Sequence, residues 1–211
     1  IYDFPVLYFP KFFHPDPTVK RQSGFLMPTF ETTPNNNTYF SIPYFKVLSE
    51  SKDLTFTPRF NGKDQFLLQN EYREATKDGN IISDISLFFD KNESIGGHLF
   101  YNFNKNLELN NFDSSNLNLN FEQVSNDTYL KANKLESPII NDYDLLETSV
   151  KLNLSSENLD IKSKFLVYEK LNTSGNDKYE YVLPQIDLTK NLTNKTKLNG
   201  DFKFQSNNYI H

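Results

Sequence analysis

His14 and Asp16 stand two residues apart, the nearest this sequence comes to a metal-ligating pair. Pro15 between them and Pro17 after them stiffen the backbone, and no further ligand lies close in the chain. The pair therefore reads as solvated or structural. His98 and His211 fall in other segments, and cysteine is absent, which removes thiolate catalysis, disulfides and cysteine zinc sites together. No Gly-rich phosphate loop, G-x-S-x-G turn or H-E-x-x-H pair occurs. Strand-face carboxylates such as Glu71 and Asp84 neighbour basic residues and read as a hydrated wall. Several Asn-x-Ser/Thr triplets, among them those at Asn36, Asn92, Asn126 and Asn172, are what an Asn-, Ser- and Thr-rich chain yields by chance. No enzyme, metal or cofactor is expected.

With no reactive centre in view, the question becomes what kind of wall these residues build. The 22 basic and 27 acidic side chains leave a net charge of -5, so there is no basic footprint for nucleic acid. Hydrophobic residues make up only 37% of the chain, yet 20 are Phe and 12 of the chain's residues are Tyr. Large rings spread among polar residues suit strands with one apolar and one wet face. No run of 18 apolar residues exists to form a membrane-spanning helix. The opening IYDFPVLYFP lacks a basic n-region and is not a signal peptide, and the chain reads as a fragment of something longer.

Alternation with period two recurs from about residue 39 onward. Leu117, Leu119 and Phe121 oppose Asn116, Asn118 and Asn120, and Val150, Leu152 and Leu154 oppose Ser149, Lys151 and Asn153. Leu54, Phe56 and Phe60 similarly oppose Thr55, Thr57 and Arg59. Turn signals fall at 61–64, 77–80 and Thr189 to Thr196, with longer polar loops at about 125–145 and 171–177. The expectation is an all-β antiparallel meander of roughly ten or eleven strands, many near ten residues long. A tilted membrane-spanning strand needs about 9–11 residues, whereas soluble strands run to about five or six. A soluble sandwich would show the same alternation, so a soluble all-β carbohydrate-binding module stays open as an alternative, as does an outer-membrane porin or substrate channel. Long strands, a charged polar face and the lack of a covering layer favour a transmembrane β-barrel wall.

The stretch HPDPTVKRQSGFLMP, residues 14–28, places a stiff, unpairable elbow directly before a short apolar run that ends in proline. Residues 5–28 closely resemble the segment of the LptD family of LPS-assembly outer-membrane proteins that joins a periplasmic jelly roll to a barrel. The residues carrying the likeness are Val6 to Pro10, the elbow with Pro15 and Pro17, the basic pair Lys20 and Arg21, and Ser23 to Pro28. Ile42 to Phe45, Asp53 to Pro58, Asn70 to Arg73, Val124 to Tyr129 and Leu183-Pro184 continue the family pattern in order. The likeness is strong over residues 5–75 and thin after 130, and Asn126 stands where the family has Asp.

That resemblance implies two parts: residues 1–22 as the end of the periplasmic jelly roll and its proline elbow, and residues 23–211 as the N-terminal part of the outer-membrane barrel. It implies lipopolysaccharide transport in a Gram-negative outer membrane, with the N-terminal end periplasmic and the lipid leaving sideways between the first and last barrel strands. Implied partners are lipopolysaccharide itself, an LptE-like lipoprotein plug in the lumen and an LptA-like periplasmic bridge. Pro28 and Pro43, fifteen residues apart, match the family's lateral-gate prolines. Each removes an N–H donor from the ladder; the plainer reading is that they merely end short edge strands. Pro15 and Pro17 would act as the hinge. Phe9, Phe12, Phe13, Lys20 and Arg21 are candidate lipid contacts, with aromatic core and a solvated basic pair as their plainer readings.

Overall fold

A computed structural model describes residues 21–32, 38–62, 64–91, 95–193 and 199–210. Pro15, Pro17, Phe9, Phe12, Phe13 and Lys20 lie outside the described residues, as do His14 and His211. The strands are β1 (Gly24–Phe25), β2 (Thr29–Thr32), β3 (Thr38–Ser41), β4 (Tyr44–Ser49), β5 (Lys52–Asn61), β6 (Gln65–Thr76) and β7 (Gly79–Asp90). They continue as β8 (Ile95–Asn106), β9 (Ser114–Val124), β10 (Leu145–Ser156), β11 (Leu159–Lys170), β12 (Tyr179–Thr193) and β13 (Asn199–Ile210). One short helix, α1 (Tyr129–Ala132), and a 3₁₀ turn at Gly175–Lys178 complete the chain.

All thirteen strands belong to one antiparallel sheet, and from β5 to β13 each pairs with its sequence neighbours. The long path counts eleven strands, β1-β4-β5 and onward. The two beyond the expected number, β2 and β3, are the far halves of the first two strands, cut in two where Pro28 and Pro43 stand. β6, β7, β8, β10, β11 and β13 each hold 12 residues, enough for a tilted spanning strand. Among the described residues no second sheet covers this one and β1 does not pair with β13, so the sheet is a partial barrel wall. No described helix is long and apolar enough to cross a membrane.

Register fixes which residues share a face. Leu119 lies opposite Val150 and Leu117 opposite Leu152, so the apolar positions of β9 and β10 form one surface, on which Phe121 and Val150 are exposed. On that outer face Phe30, Phe40, Phe60, Phe66, Phe89 and Ile95 fall in one cross-strand row. Ring centroids along it are 4.6 Å apart for Phe30–Phe40, 5.3 Å for Phe60–Phe66 and 6.5 Å for Phe66–Phe89. Such exposed aromatic rows girdle the lipid-facing band of a membrane barrel. A soluble sandwich would bury this face; here it is open.

The inner face is polar, and the connection between β9 and β10, residues 125–144, folds back onto it. Leu130, Leu135, Ile139 and Ile140 of that segment bury against Leu67 and Phe100 of the wall. Three expectations change. The polar loop expected at about 125–145 contains α1 and most of the buried core among the described residues. The turn read at Thr189 to Thr196 starts later, because β12 stays paired with β13 as far as Thr193 opposite Asn199. Asp84 is fully buried, not part of a hydrated wall, because the inward segment covers it.

Candidate functional site

The ladder fails in the first hairpin of the wall, and its register also shifts between β4 and β5, β11 and β12, and β12 and β13. Phe25 pairs with Tyr44, and the Leu26 N–H donates to the Pro43 carbonyl at 2.8 Å. Pro43 has no N–H to return, so this pair holds by one bond where two are normal. Pairing resumes with Thr29 opposite Ser41, which leaves Met27 and Pro28 facing the single residue Ile42. That is a β-bulge, a local loss of ladder with added twist. Phe25, Met27 and Phe30 along this strand are largely exposed, and β1 has β4 as its one partner among the described residues.

Arg21 is not a free basic group. Its guanidinium pairs with Asp53 at 2.7 Å and lies 5.9 Å from the centre of the Phe45 ring. Asp53 also receives Arg73 Nε at 2.8 Å and is buried. Arg21 therefore ties the chain entering the sheet to β5 and β6, which neither the lipid-phosphate reading nor the solvated-pair reading anticipated.

The second centre is a buried polar chain across the inner face. Tyr129 Oη is 2.8 Å from Ser86 Oγ, which lies 2.6 Å from His98 Nδ1. His98 Nε2 is 3.3 Å from Asp84 Oδ2, and both side chains are wholly buried. Gln69 Nε2 donates to both Asp84 carboxylate oxygens at 3.1 Å and to the Glu136 carbonyl at 2.8 Å. The chain thus begins and ends on the inward segment, gripping it at Tyr129 and at Glu136. Arg59 Nη1 adds donations to the carbonyls of Asn133 and Lys134 at 3.1 and 3.3 Å.

Asp84, His98 and Ser86 have the types of a hydrolase triad, but Ser86 is fully buried under Tyr129 and offers no room for a substrate. The arrangement holds the segment in place. Burial pushes the Tyr129 phenol above its ordinary pKa, which keeps it a neutral hydrogen-bonding group. Hydrogen bonds to Asp127 and Glu169 push the Lys178 ammonium above its ordinary range and fasten the start of the segment to β11. Sequence reading missed this network, although Asp84 and Ser86 alternate on one strand face and Ser86 sits opposite His98 across a hairpin.

Comparison with known proteins bears on part of the chain. No family model matches the chain. The LPS-assembly protein LptD of Pseudomonas entomophila is 40% identical over 75 residues, 36% of this chain. That of Pseudomonas aeruginosa is 34% identical over 91 residues, 43% of the chain. In Chromobacterium violaceum the protein of the same name is 34% identical over 130 residues, 61% of the chain. Part of the chain is similar to the LPS-assembly protein LptD. It spans only 8 to 16% of the length of these LptD relatives.

Proposed function

We propose that this chain is the N-terminal part of an outer-membrane barrel that carries lipopolysaccharide to the outer leaflet of a Gram-negative cell. The lipid leaves sideways, between the first strand of the wall and the strand that closes the barrel. A periplasmic jelly roll, supplied by an LptA-like bridge, delivers the lipid to that seam, and an LptE-like lipoprotein occupies the lumen. The role is transport without catalysis.

The observation that carries this reading is the position of the defect. A wall of 12-residue strands with an aromatic outer row is interrupted at its β1 side, at Pro28 and Pro43, where Leu26 and Pro43 share one hydrogen bond. Lateral exit needs a seam that parts without unfolding the wall, and missing donors supply that while side-chain packing stays. Relatives bearing the name LPS-assembly protein support the choice of cargo.

The test is Pro28→Ala/Pro43→Ala in the full-length protein, measuring lipopolysaccharide arrival at the cell surface with protein level held equal. Up to two restored bonds, each worth about 0.5–1.5 kcal/mol, make opening roughly 5- to 150-fold rarer, and export falls. Normal export at normal level overturns the lateral-exit reading.

A further inference from the structure

Pro58 stands fifteen residues beyond Pro43, as Pro43 stands beyond Pro28. It sits inside β5, a strand whose pairing with β6 runs unbroken from Lys52 opposite Glu74 to Asn61 opposite Gln65. A proline in the middle of a well-paired strand needs a reason. The pairs Ser41–Arg59 and Tyr44–Phe56 keep one register across the β3–β4 gap, which sets Ile42 opposite Pro58. Ile42 N–H donates to the Pro58 carbonyl at 3.3 Å, and Pro58 has no N–H with which to answer. Antiparallel residues direct their hydrogen bonds to alternate neighbours, so at position 58 the bonding side is the β3–β4 side. Toward β6, where Pro58 faces Leu68, nothing is lost. The whole cost falls on the seam side.

The missing donors of Pro43 and Pro58 therefore lie on two successive strand interfaces at the same height, next to the bulge at Met27 and Pro28. On one side of that line, β2 and β3 pair with each other through four residue pairs, and β3 holds to β5 through only three. We infer that Pro58 is a third gate residue, and that β2 and β3 move together as a two-strand flap that parts from β5. This rests on the lateral-exit reading above and refines it: the opening is two strands wide, and the line of parting lies one interface further in than the edge hairpin.

The experiment uses the full-length protein in outer membranes. Pro58→Ala restores a donor facing the Ile42 carbonyl; the new amide gains hydrogen-exchange protection, and lipopolysaccharide arrival at the surface falls about 2- to 10-fold. Normal export with a protected amide, or an unprotected amide, overturns the inference. If Pro28→Ala/Pro43→Ala impairs export while Pro58→Ala does not, only the role of Pro58 fails; if all export normally, the lateral-exit reading fails with it. A second variant does not depend on that amide. Tyr39→Cys/Asn61→Cys places thiols on directly opposite residues of β3 and β5, and export is compared in the oxidised and reduced forms of the same protein. A moving flap is locked by oxidation and released by reductant. Equal export in both forms means that β3 stays fixed to β5, and the flap is refuted.

Discussion

The ring of Tyr129 lies against Gly96: a Cβ added there would stand 3.0 Å from Tyr129 Cε2 and 3.2 Å from Ser125 Oγ. A Cβ there would have to push that ring aside by a few tenths of an ångström before the inward segment could seat on β8. Gly96→Val displaces the ring, and the segment lifts off the wall while the sheet persists. Limited proteolysis checks this, with new cleavage between residues 126 and 142 of an otherwise intact barrel as the expected result. An unchanged digestion pattern would show that the contact is incidental.

The chain from Tyr129 to Gln69 acts as a unit. Tyr129→Phe removes one hydrogen bond and costs about 0.5–1.5 kcal/mol, whereas Asp84→Ala leaves buried partners unanswered and costs about 1–3 kcal/mol. Because the two share the Ser86–His98 link, the double variant loses less than the two single losses combined. Denaturant unfolding of the refolded full-length protein measures all three, and strict additivity would mean that the network is two separate contacts.

Alkali should release the segment. Tyr129 and Tyr143 are held neutral by burial, with folded pKa values above the ordinary one. Lys178 is held charged by Asp127 and Glu169, again with a raised folded value. A raised folded value contributes stability that is complete below the unfolded pKa, about 10 for these groups. It is lost as pH rises through the folded value. Protection of residues 125–144 from exchange is therefore expected to hold to about pH 10 and fall above it. Tyr129→Phe should flatten part of that fall; an identical pH profile in the variant would remove Tyr129 from the account.

The two faces of the wall should respond oppositely to charge. Leu119→Lys puts an ammonium on the outer face near the middle of β9 and costs about 2–4 kcal/mol if that face meets lipid. Asn118→Lys, one residue away on the polar face, should be nearly neutral. Assembly yield in the outer membrane and unfolding of the purified barrel both report this, and equal effects would place lipid on neither side.

The period-two runs around Leu117 and Val150 were legible in the sequence because alternation maps straight onto the two faces of a single sheet. So was the turn at Gly62, whose φ of 64° is one that glycine adopts freely. The buried state of Asp84 was not, since the segment that closes over its network, at Tyr129 and Glu136, lies about 45 to 52 residues further along the chain. Nor was the reach of β12, because Asn-rich sequence signals a turn until pairing with β13 draws it into the ladder. Pro43 was marked as an interruption, but only the continuous register from Ser41 to Tyr44 against β5 revealed that the break lies within one strand and that Pro58 belongs to it. The roles of Arg21 and Asp53 needed coordinates, since a salt bridge across 32 positions leaves no local pattern.

The strand order carries a consequence for assembly. From β5 onward every strand lies beside the one made just before it, so most hairpins, the β9–β10 connection with its inward segment apart, close over a short loop and offer a ready template to the next. Such a wall has low contact order for a β protein and can zip up in sequence. The first hairpin is its weakest part, since it must close around a bulge with donors missing on two interfaces, whereas the irregularities between β11, β12 and β13 interrupt far longer ladders. Its pairing is the least rewarded step of the zipper and the first to fray. The route by which the barrel last becomes whole is then the same route by which it first comes apart.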